Sequence, residues 1–505
     1  MKLNKLIPAV FSLAAGALPA VAAEAAPQKP NVLFIAVDDL RPELGCYGKA
    51  YIKSPNIDRM AKAGMVFDRA YCQQAVCSPT RSSLLTGTRP DTTKVYDLVT
   101  HFRKALPDVV TLMQNFKNNG YFVQGMGKIF HGSLDDPQSW SVAWQTPKAP
   151  VYATSKNAEE SPIKVDGEQD DPAPVQKSKK GGKSSGKGAV YECADVPDNT
   201  YKDGKTAELA MKTLQEISKK DKPFFLAVGF SKPHLPWVAP KKYWDLYDET
   251  TIELAPNPFY PKDAPDYAIR KFDGEIYSYS GMVAKGEPIS PELARKLKHA
   301  YFASVSYTDA QVGMLLDELK RLDLDNNTIV ILWGDHGWKL GEHNAWGKHS
   351  NVENDVNSPL ILSVPGMKNA GAHSAALVEF VDIYPTLSEL AGLPLPEHLE
   401  GVSFKPLLDD PKRPWKTAAF SQYPRPDKGG LMGYSMRTDR YRFTVWVNDK
   451  DHTKVDAVEL YDHQVDPQEN VNIAKDPANA DLVKQLMAQW EKGWQGAKPP
   501  IAAAK

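Results

Sequence analysis

Four runs of mainly apolar residues, each of strand length, stand out along the chain. They are residues 31–37, 224–228, 329–333 and 360–364. Apolar residues fill these runs without the alternation of a half-exposed strand, which is the pattern of strands that are covered on both faces. The runs therefore predict buried strands at the centre of a large domain.

Helical segments separate these strands. Residues 108–118, which Gly120 ends, and the long segment 291–322 are typical of helices. Alternation of strands and helices favours an α/β fold, in which helices sandwich a large, mostly parallel sheet. Ligands of such a sheet bind beyond the carboxyl ends of its strands.

The chain changes character beyond Pro424. Residues 433–447 alternate in the manner of strands, and residues 479–494 form the pattern of a terminal amphipathic helix. We therefore predict a main domain at residues 28–427 and a smaller C-terminal α+β domain at residues 428–505.

The charge balance excludes some partners. The 61 Lys and Arg residues nearly equal the 62 Asp and Glu residues, so no global field attracts nucleic acid or a membrane surface. Lys2 and Lys5 precede a short apolar stretch and small residues, the pattern of a signal peptide over residues 1–25. We predict export to the periplasm or the medium, because no segment is long and apolar enough to span a membrane.

The chain has four cysteines: Cys46, Cys72, Cys77 and Cys193. In an oxidising compartment, four cysteines suffice for two disulfides. If Cys77 is used in catalysis, three remain and cannot all pair, so a disulfide framework is not expected. A bridge between Cys72 and Cys77 is the alternative.

Acidic residues follow two of the predicted strands. Asp38 and Asp39 come directly after residues 31–37, and Asp335 and His336 follow residues 329–333. Three carboxylates at one edge of a sheet repel one another unless a cation lies among them, and oxygen ligands suit calcium or magnesium. The alternative for each single Asp is a capped turn. Their shared position at strand ends favours a metal site.

Basic residues follow other strands. Lys128 and His131 come after a short strand-like segment at residues 121–124, and Lys232 and His234 follow residues 224–228. Lys348 comes soon after the Asp335–His336 pair. Each residue taken singly is as well explained by solvent exposure or packing, but their recurrence at strand ends favours an anion site.

Cys77 begins the box Cys77-Ser78-Pro79-Thr80-Arg81. Ser78 suits an N-cap, Pro79 a first helical turn and Gly87 a helix end. Cys77 is then presented at a helix N-terminus, which favours anions, with Arg81 one turn further on the same face. The box suits an anionic ester; the alternative is an ordinary cysteine at a helix start.

This box resembles that of the sulfatase family. Five segments look like successive sulfatase blocks in the family's order: residues 30–42, 73–91, 127–131, 224–236 and 333–351. Other runs look like the iduronate-2-sulfatase branch, namely residues 73–77, 224–229, 335–338 and 432–435. Two departures from the commoner pattern, the Asp335–His336 pair and the two residues between Lys128 and His131, also look like this branch.

The resemblance implies a role for each matching residue. Cys77 would be oxidised to formylglycine (3-oxoalanine), and an oxygen of this residue would bind Ca²⁺ together with Asp38, Asp39, Asp335 and His336. Arg81 and Lys128 would fix and acidify the aldehyde hydrate. His234 and Lys348 would neutralise the sulfate and help protonate the leaving oxygen, and His131 would act as base afterwards. Lys232 is a weaker candidate.

The family's mechanism explains the need for the modification. One hydroxyl of the hydrate attacks sulfur and displaces the alcohol, and the second then loses its proton and expels sulfate. A sulfated serine has no such exit. The resemblance also implies an antiparallel sheet in the C-terminal domain and a formylglycine-generating or anaerobic maturation enzyme as partner.

The sulfated sugar is not fixed by the sequence. A 2-O-sulfated uronic acid of a glycosaminoglycan is the leading substrate, with Lys348 near its carboxylate; algal polysaccharides such as carrageenan, fucan or ulvan, and phosphonate or phosphodiester substrates, are the alternatives. The candidate pocket residues are Tyr96, Asp97, His101, Trp338, His343, Trp346 and His349.

Residues 155–188, rich in Gly, Ser and Lys, are predicted to form a solvated, mobile insertion, with a basic arm that binds sulfated polymer as the alternative. The oligomeric state stays open.

Overall fold

The computed structural model describes residues 29–154 and 187–500. The predicted signal peptide, residues 1–25, and most of the predicted insertion at residues 155–188 lie outside these described residues. Among the helices that the structure describes, none is both long and apolar enough to cross a membrane.

A sheet of seven strands forms the centre of the described chain. In spatial order its strands are β14 (His373–Ser374), β2 (Met65–Phe67), β13 (Leu360–Ser363), β10 (Thr328–Gly334), β1 (Asn31–Val37), β7 (Phe224–Phe230) and β4 (Phe122–Gly127). β1 pairs in parallel with β10 and β7, and β7 with β4. β13 runs antiparallel to β10 and β2, which its apolar run does not reveal.

Helices cover both faces of this sheet. In the described ranges the α-helices are α1 (Pro55–Ala63), α2 (Cys77–Thr86), α3 (Pro90–Thr93), α4 (Leu112–Asn118), α5 (Lys202–Ile217), α6 (Lys241–Trp244), α7 (Pro291–Arg321), α8 (Glu353–Val356), α9 (Ile383–Leu390), α10 (Lys405–Asp409) and α11 (Ala480–Glu491). Phe34 of β1 joins a core with α2, α4 and α9. Its neighbour Leu33 joins the opposite core with α1, α5 and α7. This alternation of faces confirms the predicted sandwich.

The smaller strands form four pairs. They are β3 (Ala70–Tyr71) with β15 (Val378–Glu379), β5 (Lys187–Ala189) with β9 (Tyr279–Ser280), β6 (Tyr191–Ala194) with β8 (Trp237–Pro240), and β11 (Lys339–Leu340) with β12 (Trp346–Gly347).

An antiparallel sheet of four strands lies near the C-terminus. Its strands are β16 (Ala418–Arg425), β17 (Leu431–Thr438), β18 (Tyr441–Asn448) and β19 (Asp451–Asp462). Leu486 of α11 packs in one core with Phe443 of β18. The predicted domain boundary between residues 427 and 428 falls between β16 and β17.

One predicted helix starts later in the structure than in the sequence prediction, because a capping interaction sets its first residue. The helix predicted at residues 108–118 begins only at Leu112, because Thr111 accepts a hydrogen bond from the Gln114 backbone and the Gln114 side chain accepts one in return. α7 matches its predicted segment to within one residue. All four cysteines are free thiols, so the Cys72–Cys77 bridge does not form.

Candidate active site

The carboxyl ends of four parallel strands meet at one edge of the central sheet. Asp38 and Asp39 follow β1, Asp335 and His336 follow β10, and Lys128 follows β4. Backbone bonds tie these ends together: the Asp38 N–H donates to Phe230 O at 3.2 Å, and the Asp335 N–H donates to Val37 O at 3.1 Å. Asp39 adopts a φ of 56°, and its N–H donates to Asp335 Oδ1 at 3.0 Å. The predicted strand-end cluster is thus brought together.

Cys77 lies in the first turn of α2. The prediction of Ser78 as N-cap is wrong, because the helix begins at Cys77 and Val76 takes the N-cap position with extended backbone. The Ser78 hydroxyl is buried and has no hydrogen-bond partner among the described residues. Gly87 ends the helix at φ 68°, as its type predicts. The helix start therefore presents the Cys77 side chain itself.

Three side chains surround the Cys77 sulfur. Asp38 Oδ1 and His336 Nε2 each lie 3.3 Å from Sγ, and Lys348 Nζ lies 3.4 Å from it. Cys77 is 1% exposed. The sulfur is thus at the junction of the acidic and basic groups.

Three cationic side chains pair with the three carboxylates. Arg81 bonds to Asp335 Oδ2 at 3.0 Å and to Asp38 Oδ1 at 3.2 Å. Lys128 Nζ lies 2.5 Å from Asp38 Oδ2, and Lys348 Nζ lies 2.8 Å from Asp39 Oδ1. All six side chains are buried. Their formal charges cancel, so the cluster is close to neutral before any metal or substrate binds.

Burial shifts the acid–base behaviour of the cluster. Burial alone would raise the pKa of Asp38, but the charges of Lys128, His234 and Arg81 lower it well below its ordinary value. Burial raises the pKa of Asp39 and of Asp335 to about 6, against the opposing effect of their cationic partners. Burial and the Asp38 carboxylate raise the pKa of the Cys77 thiol well above its ordinary value. The unmodified thiol is therefore neutral and a weak nucleophile.

His336 is oriented as a ligand. Its Nδ1 lies 3.0 Å from the Gly337 carbonyl oxygen, which only accepts, so Nδ1 carries the proton and Nε2 presents a lone pair. Burial lowers the pKa of His336 to about 3, so the ring stays neutral.

The donor set fits a divalent cation. One ligand atom from each of Asp38, Cys77, Asp335 and His336 lies within 4.8 Å of the others, and Asp39 belongs to an overlapping group. Asp39 Oδ2 is buried and has no hydrogen-bond partner among the described residues. Buried carboxylate oxygens with unused acceptor capacity suit a hard cation.

His234 approaches the cluster from the segment after β7. Its Nδ1 lies 2.7 Å from Leu235 O, and its Nε2 lies 3.9 Å from Asp39 Oδ2. Lys232 Nζ donates to the backbone oxygens of His234 and Pro236, so it supports the loop. His131 is buried in the segment that follows Lys128.

Sequence reasoning missed Glu275. Its Oε2 lies 3.6 Å from His234 Nε2, and Tyr279 donates to its Oε1 at 3.1 Å. Glu275 begins a 3₁₀ turn and belongs to no motif, so only the fold reveals its position.

The predicted pocket residues have different surroundings. Trp338 is buried, and Lys348 Nζ lies 5.3 Å from the centre of its ring, so Trp338 borders the cluster. Trp346 is buried as well, in the strand pair that precedes Lys348. The His349 ring lies 5.8 Å from that of Tyr423.

Four other predicted pocket residues bond elsewhere. Tyr96 donates to Asp91, Asp97 accepts from Thr100, His101 accepts from Arg103 N–H, and the buried His343 lies beside Asn257. Within the described ranges, no hydrogen bond or ion pair of these four residues reaches the carboxylate cluster.

Comparison with protein-family models gives two matches. The model described as Sulfatase matches residues 30–393, and the model described as N-sulphoglucosamine sulphohydrolase, C-terminal, matches residues 341–495. The first match includes the whole carboxylate cluster.

Curated relatives align along nearly the whole chain. The human protein named iduronate 2-sulfatase is 36% identical over 532 residues, which cover 90% of this chain and 93% of that protein. A sulfatase of Formosa agariphila is 31% identical over 489 residues, which cover 92% of this chain and 88% of that protein.

Solved structures share the fold. A 2-O GAG sulfatase superposes with a TM-score of 0.69 at 22% identity, covering 92% of each chain. A phosphonate monoester hydrolase of Agrobacterium radiobacter superposes with a TM-score of 0.70 at 21% identity, covering 92% of this chain and 95% of the other.

Proposed function

Because this chain belongs to the sulfatase family, whose members hydrolyse sulfate esters, we propose that it desulfates a carbohydrate through a formylglycine formed from Cys77. The observation that carries this proposal is the position of Cys77 Sγ, within 3.4 Å of Asp38, His336 and Lys348. A group at this atom faces both a metal site and a cation that can bind sulfate.

The environment of Cys77 favours the modified residue over the thiol. A thiol with a strongly raised pKa is a weak nucleophile, and a sulfated thiol has no easy route of release. The hydrate of an aldehyde supplies one hydroxyl for attack and a second that can expel sulfate. The proposal therefore includes a formylglycine-generating or anaerobic maturation enzyme as a partner.

We assign Ca²⁺ to the carboxylate cluster. Asp38, Asp39, Asp335, His336 and an oxygen of the modified residue 77 would hold the ion. When bound, Ca²⁺ supplies Lewis-acid polarisation of a sulfate oxygen. Since three carboxylates already balance Arg81, Lys128 and Lys348, the added charge would leave the site positive and suited to a sulfate ester.

The surrounding side chains divide the remaining tasks. Arg81 and Lys128 both bond to Asp38, whose Oδ1 lies 3.3 Å from Cys77 Sγ, and from there they would fix the hydrate. Lys348 and His234 would bind the sulfate and help protonate the leaving oxygen. Because His234 Nδ1 donates to a carbonyl oxygen, the neutral ring presents a lone pair on Nε2, which faces Asp39 and Glu275. A proton that His234 delivers to the leaving oxygen must therefore first be taken up on Nε2. His131 would act as base in the second half-reaction.

We propose a 2-O-sulfated uronic acid at a chain end as the substrate. The similarity to iduronate 2-sulfatase along nearly the whole chain supports this class. The sequence suggested that Lys348 meets the sugar carboxylate. Its contacts with Asp39 and Cys77 favour the sulfate instead.

A screen of defined sulfated oligosaccharides tests the substrate class. We expect faster sulfate release from 2-O-sulfated uronates than from sugars sulfated at any other position. Release only from a neutral galactan or fucan oligosaccharide would instead favour an algal polysaccharide. Faster release of phosphate than of sulfate from matched aryl esters would favour a phosphonate or phosphodiester hydrolase.

We also propose that the enzyme is exported. Glycosaminoglycans and similar polymers occur outside the cytoplasm, and residues 1–25 have the sequence pattern of a signal peptide. N-terminal sequencing of the protein recovered from the periplasm or the medium tests this proposal, since an intact Met1 would contradict it.

A further inference from the structure

A cavity of about 210 Å³ lies between α3 and the C-terminal part of the chain. α3 contributes Asp91 and Thr92, β17 contributes Tyr434, and the C-terminal segment contributes Trp490 and Trp494. None of the proposed catalytic or metal-ligating residues lines this cavity. It is therefore a separate feature that the proposed mechanism does not use.

Aromatic rings form much of the cavity wall. The Trp490 and Tyr434 rings lie 6.3 Å apart, and the His452 ring lies 5.2 Å from Tyr434. Trp490 and Trp494 are only partly buried, so their rings keep a surface for a ligand. Indole faces pack well against the C–H faces of a sugar ring, because both surfaces are apolar.

Polar groups are fixed around these rings. Asp91 accepts hydrogen bonds from Tyr96, Gln422 and Tyr434 at 2.8–2.9 Å, so its carboxylate is held in one orientation. Glu400 is held in the same way by the Arg89 N–H and the Thr92 hydroxyl, each at 2.6 Å. Within the described residues, each of the two Glu400 oxygens accepts one hydrogen bond and keeps a second lone pair for a ligand hydroxyl.

Arg89 forms part of the cavity wall. It is 7% exposed, its two terminal nitrogens bond to Glu379 at 2.8 and 2.9 Å, and its guanidinium lies 5.0 Å from the centre of the Trp494 ring. These contacts hold the Arg89 side chain in one orientation at the cavity wall.

The charge of the lining selects among carbohydrate ligands. Glu379 balances Arg89, whereas Asp91 and Glu400 have no cationic side chain bonded to them among the described residues. The Lys498 ammonium lies 4.9 Å from the centre of the Trp494 ring. The surroundings of the cavity therefore carry no excess of positive charge that would favour a sulfate or a carboxylate. The volume is below the roughly 300–1,000 Å³ of pockets for drug-sized ligands, which suits one ring.

We propose that this cavity binds one uncharged sugar ring of the carbohydrate substrate, as a site separate from the catalytic centre. The inference deepens the proposed function and rests on it for the class of ligand. A second contact of this kind raises the affinity for an oligosaccharide without changing the chemical step.

Tryptophan fluorescence titration tests the site without turnover. The probe is an unsulfated tetrasaccharide of alternating uronic acid and N-acetylhexosamine, which carries no sulfate ester. Wild-type enzyme should show a saturable change, whereas Trp490→Ala and Trp494→Ala should each weaken binding at least about tenfold. Trp494→Phe keeps an aromatic face and should restore most of the affinity. Equal binding by wild type and both alanine variants would overturn the proposal.

Kinetics separate this site from the proposed chemistry. For a sulfated tetrasaccharide substrate, Trp490→Ala should raise KM about tenfold at nearly constant kcat, and it should leave hydrolysis of a small aryl sulfate unchanged. Exposed Phe259→Ala, with an aromatic side chain outside the cavity, is the matched control and should change neither. Normal kinetics of Trp490→Ala on the tetrasaccharide would overturn the cavity proposal and leave the sulfatase proposal intact. Absence of any aryl sulfate turnover by mature wild type would instead count against the proposed function.

Discussion

Lys348 Nζ lies 2.8 Å from Asp39 Oδ1, although 309 residues separate them along the chain. The same ammonium lies 3.4 Å from Cys77 Sγ and 5.3 Å from the centre of the Trp338 ring. This relationship joins the predicted metal site to the predicted anion site. It places Lys348 within the reaction centre that we propose.

The first prediction concerns Lys348. Replacing it by Ala should lower kcat/KM at least about 100-fold on every sulfate ester, including a neutral aryl sulfate, because a preorganised charge at the reacting group is lost. Steady-state kinetics on an aryl sulfate and on a sulfated uronate measure this effect. Lys241→Ala, which removes an exposed ammonium paired with Asp245, is the control and should leave both rates unchanged. If kcat/KM falls only for the sulfated uronate, Lys348 contacts the sugar carboxylate rather than the sulfate.

The second prediction concerns the metal. Purified wild type should contain about one calcium ion per chain by elemental analysis, and Asp38→Asn should lose both the ion and nearly all turnover. A second acidic cluster, formed by Glu353, His463 and Glu469, provides the control.

That second cluster should hold no metal. Arg442 bonds to one oxygen of Glu353 and one of Glu469, and their other oxygens accept from Tyr71 and from the Glu353 N–H. Within the described residues, no oxygen of this cluster is therefore left without a partner, unlike Asp39 Oδ2. Glu353→Gln should therefore keep the full calcium content. Equal calcium loss in Glu353→Gln and Asp38→Asn would refute the assignment.

The third prediction concerns backbone packing beneath Lys128. A Cβ at Gly229 of β7 would lie 2.0 Å from Lys128 O, so Gly229→Ala must displace the segment that carries Lys128. We expect a stability loss of about 1–3 kcal/mol, as for other overpacked sites, and a lower kcat. Thermal unfolding and kinetics measure the two effects.

Gly120→Asn is the control for this steric argument. Gly120 has a φ of 93° and open space around its Cβ position, and Asn tolerates left-handed backbone better than most residues. This variant should keep the wild-type kcat. If Gly229→Ala also keeps it, Lys128 is not held by this contact.

Much of the fold follows from the sequence because burial leaves a local pattern. β1 has the predicted bounds, since a strand covered on both faces has an unbroken apolar run. The direction of β13 was not predictable, because its apolar run is the same for either orientation. Ser78 was misplaced as the N-cap because the helix starts one residue earlier, where Val76 is extended.

Only the site residues that belong to sequence motifs were predictable. Strand ends and the Cys77 box identified Asp38, Asp335 and Arg81, which the structure brings together. No sequence pattern marks Glu275 as a site residue, because its approach to His234 depends on the packing of a loop between distant segments. The aromatic cavity was invisible for the same reason, since α3 and the C-terminal segment are separated by about 400 residues.

The most direct test of the account is tryptic mass spectrometry of the active enzyme, produced together with a maturation enzyme. After alkylation of free thiols, the peptide that contains residue 77 should carry no alkyl group and should be about 18 Da lighter than its unalkylated cysteine form. The hydrate has nearly the mass of the cysteine form and is recognised by its lack of alkylation. Activity should rise in proportion to the modified fraction, and Cys77→Ala should be inactive. Fully active enzyme that contains only unmodified Cys77 would contradict the proposed mechanism.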